Sequence, residues 1–214
     1  MDRLSRARER MLRKELRGRG ISDERVLASM GHVPREEFVD PQQRSRAYDD
    51  SALPIARGQT ISQPFVVAYM AQGLELDATD RVLEVGCGSG YAAAVLSLLA
   101  AEVYTLERIE ELAQEAQRTL TRLKFENVHV RAGDGTLGWP EEAPFDAILV
   151  SASGPHVPES LLGQLVVGGR LVMPVEDDSG AQELVRVRRT SETTSERSEL
   201  GAVRFVPLVG REGW

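Results

Sequence analysis

Leu83–Tyr91 reads LEVGCGSGY, and this stretch is the strongest indication of the fold in the sequence. A short apolar run passes into three alternating glycines, Gly86, Gly88 and Gly90, which lead at once into the nearly apolar stretch 91–101. The pattern predicts a buried strand, a tight turn and a helix. Glycines let the backbone approach a ligand closely, and a helix N-terminus presents free N–H groups. The turn is therefore also a candidate ligand site.

Outward from this unit, strand and helix patterns alternate along the chain. Strands are predicted over residues 81–85, 103–107, 128–130, 145–150 and 170–175, and helices over 91–101, 109–123, 158–166 and from residue 64. Such alternation implies a mainly parallel sheet with helices on both faces. The sequence therefore predicts an α/β fold with a doubly wound, Rossmann-like sheet.

The remaining segments are predicted to complete a single domain. Residues 1–63 are expected to form N-terminal helices and an irregular, substrate-covering segment, and residues 64–175 the cofactor-binding core. In the C-terminal part, 176–214, an alternating stretch at 184–188 and an apolar one at 203–209 predict an antiparallel hairpin. The polar stretch TSETTSERSE between them is expected to be the exposed loop of that hairpin.

Acidic residues follow the glycine turn at informative distances. Glu107 ends the next predicted strand, 21 residues after Gly86, where a carboxylate can accept hydrogen bonds from both hydroxyls of a ribose. Gly-Asp-Gly at 133–135 ends the third strand and is expected to put Asp134 or its backbone beside an adenine ring. Tyr91 stands near where a dinucleotide fingerprint has its third glycine, so the G-x-G-x-G spacing favours S-adenosyl-L-methionine. A nucleotide-dependent oxidoreductase stays open as an alternative.

Composition excludes several classes of protein. The 214 residues are 42% hydrophobic and 28% charged, as in ordinary globular proteins, and the apolar run 91–101 is too short for a membrane span of about 20 residues. A net charge of -7 argues against nucleic acid as the main partner. The single cysteine, Cys87, can form neither a disulfide framework nor a cysteine metal cluster. We expect a cytoplasmic monomer without a secretory signal, a bound metal or a membrane contact.

The first 20 residues differ from the rest in charge. They carry +5, whereas the remaining chain carries -12. A basic helix can contact nucleic acid or an acidic partner. The simpler expectation is a solvated helical face with Leu4, Met11 and Leu16 turned inward.

Most of the chain, from Val33 to Trp214, resembles the protein-L-isoaspartate O-methyltransferases. The glycine turn is common to many methyltransferases, whereas GQTIS, GWPEEAPFD and FVPL are specific to this family. The matching stretches are VPREEFV (33–39), AYDDSALPIARGQTISQP (47–64), LEVGCGSGY (83–91), YTLER (104–108), GDG (133–135), GWPEEAPFDAILVSAS (138–153), QLVVGGRLVMPV (164–175) and FVPLVGREGW (205–214).

The resemblance implies methyl transfer from S-adenosyl-L-methionine to the free α-carboxylate of L-isoaspartyl residues in damaged proteins and peptides. The ester then closes to a succinimide, whose hydrolysis partly restores aspartate. By the same resemblance Ser62 is the active-site serine. Gln59 and Thr60 are secondary candidates for substrate binding, together with Tyr48 and Asp49, because they share the segment expected to cover the cofactor. The positions implied for the cofactor are Gly86, Cys87, Gly88, Ser89, Gly90, Tyr91, Glu107, Arg108, Asp134 and Gly135.

This chemistry needs few protein groups. An α-carboxyl has a pKa of about 3.3–3.7 and is already ionised at neutral pH, so the attacking oxygen requires no general base. The protein must hold carboxylate, methyl group and sulfur in line. Ser62 is expected to donate a hydrogen bond that orients the carboxylate, and the competing interpretation is a helix N-cap. Cys87 is expected to pack rather than to act as a nucleophile.

Other functions stay open at the level of sequence. A relative of the family could methylate an Asp side chain in one dedicated peptide. A non-enzymatic protein that binds an adenosyl ligand is a further alternative. Peptide preference, oligomeric state and the role of the basic N-terminal helix are not readable from the residues.

Overall fold

The computed structural model describes residues 2–214, which are organised around one seven-stranded sheet. The α-helices are α1 (Arg3–Arg10), α2 (Glu24–His32), α3 (Pro64–Gly73), α4 (Tyr91–Ser97), α5 (Glu110–Arg122) and α6 (Glu159–Gly163). The strands are β1 (Leu53–Pro54), β2 (Thr60–Ile61), β3 (Arg81–Val85), β4 (Glu102–Glu107), β5 (Val128–Ala132), β6 (Phe145–Val150), β7 (Leu165–Glu176), β8 (Gln182–Arg189) and β9 (Ser195–Ala202). A π-helical segment (Met11–Leu16) extends α1, and 3-10 turns cover Arg17–Arg19, Arg35–Glu37, Pro41–Arg46, Ala56–Gly58 and Gly135–Leu137.

The strand order of the sheet is β5-β4-β3-β6-β7-β8-β9. Strands β3 to β7 run parallel, and β8 and β9 complete the sheet in antiparallel fashion. The chain leaves β3 toward β4 on one side and returns to β6 on the other. Ligands of open α/β sheets bind at such a switch point, beyond the carboxyl ends of the strands. The predicted doubly wound fold with a C-terminal hairpin is confirmed.

Both faces of the sheet are covered, which explains the continuous apolar runs of its strands. Along β3, Val82 belongs to an apolar cluster with α2, α3 and α4, and Leu83 belongs to a second cluster with α6. Successive residues of a strand point to opposite faces, so one strand supplies both clusters. Residues 82–85 of β3 are buried, and Gly86 follows directly at the carboxyl end of this central strand.

The predicted helix over 158–166 is shorter in the structure. Helix α6 ends at Gly163, and Leu165 pairs with Phe145 at the start of a long β7. The glycines 168–169 therefore lie within a strand and do not stop a helix. Sheet pairing takes up the apolar residues that the pattern assigns to the helix. The register of β6 and β7 shifts at this point.

The hairpin forms, but its second strand is not the apolar stretch 203–209. The outer strand is β9, Ser195–Ala202, which comes from the polar stretch expected to be a loop. Most of the side chains of β9 are exposed because it lies at the edge of the sheet. Such a strand lacks the apolar alternation that identifies a half-buried one, and this is why the prediction was wrong.

The basic N-terminal region folds as a solvated helix with an apolar face. Met11 and Leu16 are fully buried, and Leu4 packs partly against the same cluster. Arg8 and Arg17 form ion pairs with Glu residues of the same chain. Among the helices of residues 2–214, none combines the length and the apolar character that crossing a membrane requires.

Candidate active site

The carboxyl ends of the central strands meet around a cavity of about 290 Å³. Gly86 follows β3, Glu107 ends β4, Gly135 follows β5 and Ser151 follows β6, and all four residues line this cavity. The arrangement follows from the topology, because parallel strands present their carboxyl ends at one edge. We call this space the cofactor cavity.

The glycine turn has a backbone that requires its glycines. Gly86, Gly88 and Gly90 have φ angles of 92°, 53° and 87°, in the left-handed region that other residues rarely adopt. The amides of Gly86 and Cys87 both donate to the carbonyl oxygen of Leu106, at 2.8 and 3.1 Å, which ties the turn to β4. The turn is thereby fixed as one wall of the cofactor cavity.

The Glu107 carboxylate is held rigidly at the cavity wall. Its Oε2 accepts a hydrogen bond from the amide of Gly88 (2.8 Å) and its Oε1 one from the amide of Ile109 (2.9 Å). The side chain is 7% exposed, and among residues 2–214 it has no ion-pair partner. A carboxylate offers about four lone-pair sites, so two stay available for hydroxyl donors. These two free acceptor sites fit the paired hydroxyls of a ribose, which would donate to them.

The other predicted cofactor residues are distributed unevenly. Gly88, Arg108 and Gly135 line the cofactor cavity, and Cys87, Ser89 and Tyr91 line a smaller space of about 40 Å³ beside it. Gly90 is buried as the N-cap of α4.

Asp134 has its carboxylate turned to the C-terminal segment. Oδ1 accepts from the amide and the hydroxyl of Thr136, at 2.9 and 2.7 Å, and Oδ2 accepts from the amide of Arg211 at 2.8 Å. The side chain thus anchors a loop, and the neighbouring Gly135 provides the surface of the cavity.

Two further titratable groups, Glu84 of β3 and Cys87 within the glycine turn, are buried. The Glu84 carboxyl is fully buried; its Oε2 accepts from Thr105 Oγ1 at 2.5 Å, and its Oε1 has no partner. Burial raises the pKa of Glu84 to about 8. Burial also raises the pKa of the Cys87 thiol well above its usual value, with a further contribution from the charge of Glu84. Cys87 therefore stays a thiol, as expected for a residue that packs.

A second cavity, of about 640 Å³, adjoins the first. Thr60 and Ser151 line both spaces, and Ser62 lines the second cavity together with the smaller space next to the glycine turn. We call the larger space the substrate cavity. Gln59 lines the cofactor cavity. Ser62 and Thr60 thus lie where a peptide in one cavity would meet a cofactor in the other.

The Ser62 hydroxyl is not used as a helix cap. Helix α3 begins with Gln63 at its N-cap position and no side chain there accepts an amide bond. The amide of Phe65, in the first turn, instead donates to Asp50 Oδ1 at 3.3 Å. Within residues 2–214 the Ser62 hydroxyl has no hydrogen-bond partner, so it remains available to a ligand.

A buried arginine fixes the backbone of Ser62. Arg35 is fully buried; its Nε donates to the carbonyl oxygen of Ala47 (2.7 Å) and one terminal nitrogen donates to that of Ser62 (2.8 Å). Its guanidinium carbon lies 4.7 Å from the centroid of the Tyr91 ring. The other terminal nitrogen, Nη1, has no partner. One side chain therefore joins both ends of the segment 47–62.

A second cluster joins the N-terminal helix to the same segment. Arg8 Nε donates to Tyr48 Oη at 2.7 Å, Arg8 Nη2 lies 3.1 Å from Glu36 Oε1, and the Tyr48 hydroxyl donates to Glu36 Oε2. Tyr48 is thus engaged in structure, and Asp49 forms an exposed ion pair with Arg46. We call residues 33–63, held by Arg35 and by this cluster, the covering segment.

Sequence reasoning missed Arg35, Arg8 and Asp50. The motif VPREEFV contains Arg35, but a charged residue in a motif is ordinarily read as exposed, because Arg is rarely fully buried. Contacts that span 27 or more residues, as from Arg35 to Ser62, leave no periodic signal in the sequence.

Comparison with known proteins is consistent along the chain. Residues 6–213 match the family described as Protein-L-isoaspartate(D-aspartate) O-methyltransferase. The Protein-L-isoaspartate O-methyltransferase 2 of Pelobacter propionicus is 60% identical over 207 residues, covering 97% of this chain and 92% of that protein. The protein of the same name from Marinobacter nauticus is 55% identical over 211 residues, with 99% and 96% covered.

Two solved structures share the whole fold. One described as a protein-L-isoaspartate O-methyltransferase has a TM-score of 0.86 at 32% identity, covering 96% of this chain and 67% of that one. A Plasmodium falciparum protein described as a putative protein-L-isoaspartate O-methyltransferase, in complex with S-adenosyl-L-homocysteine, has a TM-score of 0.81 at 27% identity, with 94% and 98% covered.

Proposed function

The chain belongs to the protein-L-isoaspartate(D-aspartate) O-methyltransferase family, and we propose that Ser62 and Glu107 are the residues through which it performs that family's reaction. The reaction is methyl transfer from S-adenosyl-L-methionine to the free α-carboxylate of an L-isoaspartyl residue. Damaged proteins and peptides are accordingly the substrates. An oxidoreductase and a non-enzymatic binding protein are excluded by family membership.

The donor set of the cofactor cavity fits the nucleoside of S-adenosyl-L-methionine. Glu107 would accept hydrogen bonds from the ribose hydroxyls, and the turn from Gly86 to Gly90 would allow close approach of the remainder. Arg108 and Gly135 would border the adenosyl group. When bound, the cofactor supplies a methyl group attached to a sulfonium, which is the leaving group when a carboxylate oxygen attacks the methyl carbon. The sheet edge would fix the position of this group, and a closed site around it would keep water away from the methyl carbon.

The proposal for Ser62 rests on one observation, its unpartnered hydroxyl beside both the substrate cavity and the glycine turn. The hydroxyl would donate to one oxygen of the substrate carboxylate and turn the other toward the methyl carbon. Thr60 and Gln59 would border the substrate on the cofactor side. Asp50 supports this role because it satisfies the first turn of α3, which leaves the serine free.

A matched pair of peptides tests the proposed function. The two peptides share one sequence and differ only in an isoaspartyl or aspartyl linkage, and labelled methyl transfer to each is measured. We expect transfer to the isoaspartyl peptide and little to its twin, because only the former presents an α-carboxylate on a short branch. Equal rates, or transfer to aspartate alone, would favour a dedicated Asp side-chain methyltransferase instead.

We also propose that the enzyme acts as a monomer in the cytoplasm, without nucleic acid or membrane as a partner. The acidic net charge of -7 supports the first exclusion. The single, buried Cys87 supports a reducing compartment, because the chain does not rely on disulfides. Sedimentation of the purified chain and fractionation of cells test the two statements.

A further inference from the structure

The substrate cavity has an unusual charge for this protein. Two charged side chains line it, Arg19 and Arg204, and no carboxylate does so among residues 2–214. The protein as a whole carries -7. A basic cavity in an acidic molecule attracts acidic ligands locally and repels basic ones, and charged groups at such a mouth set specificity more than they set total affinity.

Arg204 supplies the stronger positive field of the two. It follows the edge strand β9 and is exposed. Among the described residues its guanidinium forms no ion pair and no hydrogen bond. Its neighbours Val203 and Phe205 also line the cavity. The charge is therefore uncompensated and free to pair with a carboxylate of a bound peptide.

Arg19 lies in the 3-10 turn Arg17–Arg19, and its positive charge is partly neutralised. Its guanidinium carbon lies 3.7 Å from the centroid of the Phe65 ring, and Nη1 lies 2.5 Å from Asp50 Oδ2. Asp50 also accepts from Gln63 Nε2 at 2.6 Å. A guanidinium carries five N–H donors, so Arg19 keeps donors for a ligand, but the nearby carboxylate weakens its attraction.

Ser62 lies on the wall of the cavity that these two arginines share. A peptide whose isoaspartyl carboxylate reaches Ser62 through this cavity would run along walls that include both arginines. We infer that the enzyme prefers isoaspartyl segments with acidic side chains beside the damaged residue, and that Arg204 is the main determinant of this preference with Arg19 second. The inference rests on the proposed function, since it assigns the cavity to the peptide substrate.

Three isoaspartyl peptides of one sequence test it, with Glu, Gln or Lys at the positions flanking the damaged residue. For each peptide kcat/KM is measured at low and at high salt. We expect the order Glu, Gln, Lys, with a Glu-to-Lys ratio on the order of tenfold, since a partly exposed ion pair changes affinity by up to about fivefold. The ratio should shrink as salt screens the charges.

Charge-removing variants assign the effect to residues. Arg204→Gln should reduce the Glu-to-Lys ratio by about fivefold, and Arg19→Gln by less, because Asp50 already neutralises part of its charge. Arg197→Gln is the matched control. This substitution removes the same charge from an exposed arginine of β9 in the same region, but Arg197 does not line the cavity. Affinity for S-adenosyl-L-homocysteine should be unchanged in all three variants.

The outcomes separate the inference from the function on which it rests. If the Gln-flanked peptide is not methylated at all, the proposed function fails. If it is methylated and the Glu and Lys peptides react equally well, or if Arg197→Gln changes the ratio as much as Arg204→Gln, the function stands and the charge preference is overturned.

Discussion

The cofactor cavity and the substrate cavity adjoin, yet they are built in different ways. The cofactor cavity is lined mainly by strand ends, with further residues from 58–60 and 206–209. The bonds that hold the strand ends, such as those from Gly86 and Cys87 to Leu106, join neighbouring strands of one sheet. The substrate cavity lies between the covering segment and the end of β9. Its parts are held by side chains, as by Arg35 on Ser62 and by Tyr69, whose hydroxyl donates to the carbonyl oxygen of Leu200 at 2.8 Å.

Because of this difference, substitutions in the two regions should affect different measured quantities. Changes at the sheet edge should alter cofactor affinity while leaving the covering segment in place. Changes at Ser62 and at Arg35, which fixes its backbone, should alter the rate of methyl transfer while leaving cofactor affinity in place.

The largest effect is expected from Ser62→Ala. Loss of one positioned donor typically costs about 10²–10³ in rate, so methyl transfer should slow by that order while cofactor affinity stays nearly unchanged. Single-turnover rates and calorimetric titration measure the two quantities. Ser51→Ala is the matched control, because its buried hydroxyl lies in the same segment and has no partner. A Ser62→Ala enzyme that is destabilised but fully active would show that the hydroxyl is structural.

Glu107→Ala should weaken binding of S-adenosyl-L-homocysteine by about tenfold to several hundredfold. Hydrogen bonds to a charged group contribute roughly 1.5–3 kcal/mol each, and 1.4 kcal/mol corresponds to about tenfold. Calorimetric titration measures the affinity. The control is Glu102→Ala, the same substitution at the other end of β4, where the carboxylate contacts His129. Unchanged affinity in Glu107→Ala would remove this residue from the site.

Arg35→Lys should slow methyl transfer by about tenfold with little change in cofactor affinity. Lysine keeps the charge but cannot span the carbonyl oxygens of Ala47 and Ser62 as a guanidinium does, so Ser62 loses its fixed position. Steady-state kinetics should show the loss in kcat more than in KM. Arg44→Lys, exposed in the same segment, is the control. If both variants keep wild-type kcat, Arg35 serves the fold alone.

The last prediction concerns Glu84 and the stability of the fold, with no effect on rate or affinity expected. Its pKa is raised in the folded protein from an ordinary 4.5 to about 8, so between these values the folded state holds a proton that the unfolded state has lost. Stability from this group is therefore full below pH 4.5 and declines as pH rises through 8, by at most about 1.4 kcal/mol per pH unit. Glu84→Gln should flatten the pH dependence of the unfolding free energy in urea. Parallel curves for the two proteins would contradict the raised pKa.

The two cavities also differ in how much of their structure can be predicted from the sequence. The strand ends around the glycine turn follow from local periodicity, because residues 83–107 contain both the turn and Glu107. The anchoring of Ser62 does not follow, because Arg35 and Asp50 act across the fold. The helix-cap interpretation of Ser62 was reasonable from its position, and only the contact of Asp50 with the first turn of α3 shows why the cap is not needed.

Strand β9 was misread for a related reason, and its exposed edge has a consequence of its own. An enzyme whose substrates are damaged chains repeatedly meets unpaired backbone, and an open sheet edge invites such backbone to add as a further strand and to begin aggregation. Along β9 the residues Ser195–Glu199 are all serines or charged residues, and its pairing with β8 is interrupted by a bulge at Leu184 and Val185. Both features discourage the addition of a further strand, so this edge is protected against aggregation with the unfolded chains that the enzyme meets.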